Sequence, residues 1–279
     1  MKRFITRMAT AGSKVRRFAP LKPGAGDSTA PRLQGVVFDV DGTLCEPQTY
    51  MFGQMRAALG IDKSIDILDH IYSLPTPEAQ EAAMSSIRAI ESTAMIAQTP
   101  QPGLVKLMSY LDSRNIRKGI CTRNFDTPVN HLLDKFLDGH VFHPIITRDF
   151  RPPKPDPAGI LHIARSWGLT RRVNGKDEAM GLPANGERQE DRRDGGDGDQ
   201  ELEPTKPGEE VADASGLIMV GDSIDDMTAG RSAGAATVLL VNDVNAHLTE
   251  HEHTDLVITR LDELIDVLEN GFEGKETED

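Results

Sequence analysis

Cysteine is scarce in this chain: Cys45 and Cys121 are the only two in 279 residues. Both lie in or beside apolar strand-like runs. They read as small core residues of a reduced, intracellular protein, not as a disulfide framework or as nucleophiles. Long hydrophobic runs are missing too, and no apolar stretch approaches the ~20 residues of a membrane-spanning helix. Positive charge is in deficit, with 31 Lys and Arg against 44 Asp and Glu, a net charge of −13. No basic stripe offers itself to a phosphate backbone, which excludes nucleic acid as a partner. What remains is 38% hydrophobic, enough for one sizeable core and a small second domain.

The charge is unevenly spread. Residues 176–213 hold 13 acidic and 5 basic side chains, which gives −8 from that stretch alone. Its "GERQEDRRDGGDGDQELEPTKPGEE" has almost no large apolar residue to offset ordering entropy. We expect a disordered acidic insertion over 174–214, with an acidic interaction segment as the alternative. At the other extreme, the first 26 residues carry seven Lys or Arg and no acid. Phe4, Met8, Ala11, Val15 and Phe18 fall on one helical face and Arg3, Arg7, Lys14 and Arg17 on another. That is the pattern of a mitochondrial transit peptide, and equally of a plain basic extension over 1–31. Cytoplasm and mitochondrial matrix are therefore equal expectations. Residues 271–279 read as a short acidic tail.

Between these ends the pattern is regular. Val36, Val37 and Phe38 form a short apolar run of the kind buried in a parallel sheet. Residues 49–98 then read as helical. "TPEAQEAAMSSIRAIESTAMIA" opens with Thr76 as cap and Pro77 at the first helical position, and Ala83, Ile87, Ile90 and Ala94 supply its apolar face. "YMFGQMRAALG" and "SIDILDHIYSL" are two shorter helices before it. From there strands and helices alternate: helix 102–114, strand 116–121, helix 127–137, strand 144–147 and helix 156–167. Past the acidic stretch follow strand 216–220, helix 223–233, strand 237–241, strand 256–258 and helix 261–270. The alternation implies an α/β fold, a doubly wound parallel sheet over 32–48 and 99–270, with 49–98 as a small all-helical cap inserted in it.

Ligands of such sheets bind beyond the carboxyl ends of the strands. Asp39 and Asp41 follow the first strand, and side chains two apart in an extended segment point the same way. Two carboxylates aimed at one spot imply a metal site, an acid/base pair or both, unless Asp41-Gly42 is only a turn. Thr122, Arg123 and Asn124 follow "RKGIC", and Lys154 follows "PIITRDFRPP". Asp222, Ser223, Asp225 and Asp226 follow "GLIMV". Four strand ends thus deliver acids, a hydroxyl and a lysine to one edge. An acidic oxygen cluster suits Mg²⁺, and a hydroxyl with an ammonium suits phosphate oxygens.

In these residues the chain resembles the haloacid dehalogenase superfamily. Its four motifs are matched in order by "DVDGTL", "ICTRN", "RPPKPDP" and "VGDSIDDMTAG", across residues 36–230. The resemblance implies Asp39 as nucleophile and Asp41 as general acid/base, with Thr122 and Lys154 binding the transferring phosphoryl group. It implies Mg²⁺ held by the Asp39 side chain, the Asp41 carbonyl and the Asp222 side chain, with Asp226 supporting the lysine or the metal shell. Asp225 ranks below Asp226 on the spacing before "AG". The superfamily's dehalogenases carry no aspartate two residues after the nucleophile, whereas its phosphatases and phosphomutases do. The expected function is therefore a phosphomonoester hydrolase acting through an aspartyl-phosphate on a small phosphorylated metabolite. A sugar-phosphate phosphomutase is the enzymatic alternative, and a catalytically idle binding module the non-enzymatic one. Arg56, Arg88 and Arg123 are candidate substrate readers, or solvated helix-face arginines. His247, His251 and His253 lack a nearby fourth ligand and read as an exposed loop rather than a zinc site. The substrate and the oligomeric state are not written in the sequence.

Overall fold

The computed structural model describes residues 15–24, 28–48, 50–173 and 208–275. The basic helix proposed for the first residues and most of the acidic stretch lie outside these.

The first long apolar run, Gly35–Phe38, is strand β2, and all four of its residues are buried. It follows a two-residue strand, β1 (Arg17–Phe18). Arg117–Cys121 (β3) and Leu217–Gly221 (β7) flank β2 on either side, with Phe38 opposite both Ile120 and Val220. With β4 (Ile145–Ile146), β8 (Ala236–Leu240) and β9 (Leu256–Ile258), they form a six-stranded parallel sheet in the order β4-β3-β2-β7-β8-β9. The chain builds outward from β2 through β3 and β4, then returns to the other side of β2 and builds outward again. The order therefore reverses between β2 and β7, the point at which a crevice opens beyond the strand ends.

Alternation along β2 divides the core into two layers. Val36 and Phe38 pack with Leu107 and Leu111 of α4 (Leu104–Ser113), Leu132 of α5 (Asp126–Phe136) and Leu264 and Leu268 of α8 (Glu263–Asn270). Val37 packs on the opposite face with Ile160 and Ile163 of α6 (Ala158–Ser166) and Ala229 of α7 (Ile224–Ala233). The apolar run is continuous because both faces are covered.

Three helices lie between β2 and α4: α1 (Tyr50–Leu59), α2 (Ile67–Ser73) and α3 (Pro77–Ile96). Met51, Met55, Ile67, Ile71, Met84 and Ile87 give them an apolar cluster of their own. Local chemistry sets their starts. Asp66 accepts from the Leu68 and Asp69 amides at 2.9 and 3.0 Å, and Thr76 accepts from Ala79 N at 3.2 Å with Pro77 next. Among the described residues no helix is long and apolar enough to cross a membrane.

Four short strands differ from the sequence reading. Glu210–Ala212 (β6) pairs antiparallel with Thr170–Arg172 (β5), so 208–214 belong to the fold and not to a disordered insertion. Val211 and Ala214 are buried there, two small apolar anchors hidden among acids. Phe272–Glu273 (β10) pairs with β1, and the Phe18 and Phe272 rings meet at 5.7 Å. The parts of the extension and tail nearest the core are thus packed onto it.

Candidate active site

Asp39 emerges where β2 ends, its amide donating to Val220 O at 3.0 Å across the sheet. Its buried Oδ1 accepts from Lys154 Nζ at 2.7 Å. Lys154, carried by the segment between β4 and α6, also donates to Asp226 Oδ1. Asp226 is fully buried, and its other oxygen accepts from Ser223 N and Oγ at 3.0 and 2.6 Å, which closes a capping box at the start of α7. The "DSIDD" run therefore does two things at once: it begins a helix and it anchors the lysine. Burial opposes the charge on Lys154, yet Asp226 and Asp39 hold its ammonium well above the usual range.

Asp41 faces the same cavity with different partners. Its Oδ1 accepts from Gln48 N at 3.3 Å and from Cys45 Sγ at 3.8 Å. Burial, then the neighbouring Asp39 charge, pushes its carboxyl up to about 7. Asp222 leaves the end of β7. Its carboxylate accepts from Asn242 Nδ2 at 3.3 Å and its carbonyl from Asn245 Nδ2 at 2.7 Å. Burial, then Asp226 and Asp39, pushes Asp222 up to about 8, and burial raises Asp39 to about 6 against the pull of Lys154. Gly42, at φ +85°, makes the turn between these groups possible; a Cβ there would strike the Asp222 carboxylate. Thr122 is buried at the end of β3, its Oγ1 accepting from Asn124 N at 3.3 Å.

Oxygens of Asp39, Asp222 and Asp226 lie within 4.8 Å of one another. The set is all oxygen, and four carboxylates share one ammonium, so a hard divalent cation fits its charge and its donors. Both Asp226 oxygens are already engaged, by Lys154 and Ser223. Asp226 thus anchors the lysine, and with Asp39 and Asp222 it could also face such an ion.

These residues open on a cavity of about 370 Å³ whose other wall is built from α1, α2 and α3. Met55, Arg56, Ile67, Leu68, Ile87 and Glu91 line that wall. Two ion pairs tie the walls together. Arg123 donates to Asp66 and to Asp225, each at 2.6 Å, so both Arg123 and Asp225 are held in a bridge. Arg148, from the segment after β4, pairs with Glu91 of α3, both side chains 3% exposed. Of the other arginines, Arg56 lines the cavity, while Arg88 is exposed and pairs with Glu81 at 3.0 Å. His251 meets His253 edge-to-face, and His253 Nδ1 lies 3.0 Å from Thr228 Oγ1.

Sequence reasoning passed over Glu91, Arg148, Asp66 and the two asparagines. A signal existed for Glu91: it falls in register with Met84, Ile87 and Ala94, all buried on α3. A charge in an apolar stripe is expensive unless it is paired or used.

The fold agrees with what the chain resembles. Residues 33–180 match the model of the haloacid dehalogenase-like hydrolases, and residues 205–264 match a HAD-hydrolase-like model. The chain belongs to the haloacid dehalogenase-like hydrolase family. An uncharacterized hydrolase of Saccharomyces cerevisiae is 41% identical over 85% of this chain and 92% of its own length. A haloacid dehalogenase-like hydrolase domain-containing protein of Arabidopsis thaliana is 32% identical over 75% of this chain and 71% of its own. Among solved structures, CbbY from Rhodobacter sphaeroides in complex with xylulose 1,5-bisphosphate superposes with a TM-score of 0.57. That match has 16% identity and covers 83% of this chain and 96% of CbbY.

Proposed function

We propose that this hydrolase is a magnesium-dependent phosphomonoesterase that acts on a small phosphorylated metabolite through an aspartyl-phosphate. The observation that carries the reading is the grouping at the sheet's reversal point. Asp39, Asp222 and Asp226 converge there, Lys154 sits between two of them, and Asp39, Asp222 and Lys154 line one small cavity with Asp226 buried behind the lysine. A neighbour of the same fold holds a phosphorylated sugar, which suits a cavity of this size.

Asp39 is the nucleophile: one of its oxygens attacks phosphorus while the bond to the leaving alcohol oxygen breaks. Asp41, on the cavity side with its own hydrogen-bond partners, gives that oxygen a proton. In the second half Asp41 takes a proton from water, whose oxygen attacks phosphorus and releases phosphate from Asp39. Thr122 and Lys154 bind the phosphoryl oxygens, and Asp226 keeps Lys154 in place. Asp39, Asp222 and the Asp41 carbonyl would hold Mg²⁺, which when bound supplies positive charge where carboxylate and phosphate meet. The helical wall keeps bulk water from the reacting groups.

Asp39→Asn removes the nucleophile without changing its size. Release of inorganic phosphate from a panel of phosphomonoesters should fall at least ~10³-fold, and should vanish on chelation and return with Mg²⁺. Near-normal release from the variant would sink the assignment. Transfer of phosphate to a second hydroxyl, in place of release, would identify a mutase.

A further inference from the structure

The helical wall carries a carboxylate that the fold uses only in part. Glu91 is 3% exposed, and its Oε1 accepts from Arg148 Nη2. Its Oε2 is buried, lies on a cavity-lining residue and has no hydrogen-bond partner. Arg148 spends its other nitrogens elsewhere as well: Nε donates to Arg123 O at 3.1 Å and Nη1 faces Met84 Sδ at 3.7 Å. A buried acceptor left unmet is costly, and more so when charged, so such an atom asks what completes it.

We propose that Glu91 is a specificity-determining residue whose Oε2 accepts a hydrogen bond from a hydroxyl on the alcohol part of the substrate. The enzyme thereby selects phosphorylated polyols and sugars over phosphate esters that lack this hydroxyl. The inference rests on the phosphomonoesterase reading and names its substrate class.

A hydroxyl fits better than an ammonium. Arg148 already neutralises Glu91, Arg56 on the same wall has no ion-pair partner among the described residues, and Met55, Ile67, Leu68 and Ile87 make the surroundings apolar. Stripping water from an ammonium there would be far harder than from a neutral hydroxyl. Arg56 Nε, a buried donor with no partner, is the complementary group for an acceptor oxygen of the same molecule. A volume of about 370 Å³ lies at the small end of small-molecule sites, which suits a small metabolite.

Glu91→Gln tests this with little change of shape. The amide oxygen can keep Arg148, which turns an NH₂ toward the cavity and replaces the acceptor with a donor. Full-length wild type and variant, with Mg²⁺, are assayed on glycerol 3-phosphate against propyl phosphate and on ribose 5-phosphate against 2-deoxyribose 5-phosphate. p-Nitrophenyl phosphate serves as the reference without an aliphatic hydroxyl. Wild type should prefer the hydroxylated member of at least one pair by about tenfold or more. The variant should lose that preference through KM, leaving the hydroxyl-free esters within about twofold. Equal effects on both members, or no preference in the wild type, would overturn the role of Glu91 while phosphate release still upholds the phosphatase. Failure to hydrolyse any ester, p-nitrophenyl phosphate included, would overturn both. The wild-type preference is read independently, so a variant that does not fold leaves the proposal open to refutation.

Discussion

On the sheet side of the cavity, Lys154 lies between Asp39 and Asp226, Ser223 caps Asp226, and Asn242 and Asn245 hold Asp222 from behind. On the helical side, Glu91 Oε2 and Arg56 Nε lie buried with no partner. Among the described residues, these two are the atoms in that condition that belong to cavity-lining side chains. The sheet wall is complete before any substrate arrives, as groups that must meet developing charge need to be. The helical wall is incomplete by two hydrogen bonds, one donor and one acceptor. On the proposed function, chemistry common to all phosphate esters falls to the first wall and discrimination among their alcohols to the second.

Changes on the sheet wall should therefore act on every substrate alike. Lys154→Met removes the ammonium that balances Asp39 and Asp226, and kcat/KM should fall about 10²–10³-fold with the rank order of substrates preserved. A reordered panel would break the division between the walls. Asp41→Asn sharpens it. The loss should be largest, about 10²-fold or more, for alkyl phosphates, whose alcohols need a proton to leave. It should be smallest for p-nitrophenyl phosphate, whose phenolate leaves unaided. A uniform loss would remove Asp41 from proton transfer and place it in the support of Asp39.

The sheet wall was legible in the sequence because each of its groups sits at a fixed offset from an apolar run. Asp39 follows Val36–Phe38, Thr122 follows "RKGIC", and Asp222 follows "GLIMV". A buried parallel strand is recognisable, and its carboxyl end is where ligands bind. The helical wall was hidden for a physical reason. A 3.6-residue period accepts a register turned by one position, and the face taken as Ala83, Ile87, Ile90 and Ala94 buries Met84, Ile87, Glu91 and Ala94. A glutamate looks like the solvent side of such a helix until its partner is known. Arg148 arrives from the far side of the next two strands, a pairing that no local pattern encodes. The short strands β5, β6, β1 and β10 escaped because they pair outside the main sheet, where no strand–helix alternation frames a run of two or three residues as it frames β4 and β9.

The smallest expected effect lies in the joint between the walls. Asp66 caps α2 through Oδ1 and accepts from Arg123 through Oδ2, so one side chain both starts a helix and ties it to the sheet. Burial acts to raise its carboxyl, but the Asp69 amide and Arg123 outweigh it and hold the group below 3.8. A depressed carboxyl stabilises the fold above its unfolded value and loses that contribution as pH falls through its folded one. Asp66→Asn can keep the cap through its amide oxygen and give up the charge, and Arg123 retains Asp225 at 2.6 Å, so no cation is left unpaired. A partly exposed link of this kind is worth about 0.2–1 kcal/mol, which lowers Tm by roughly 1–3 °C at pH 7. Thermal melts of variant and wild type should converge as the pH falls through the depressed folded value of Asp66, below which both side chains are neutral. Substrate preference should not move, since Asp66 has its hydrogen bonds satisfied by protein. A gap in Tm that persists in acid would assign the effect to the helix cap, and a shifted substrate preference would make Asp66 part of the reading wall and not of the joint.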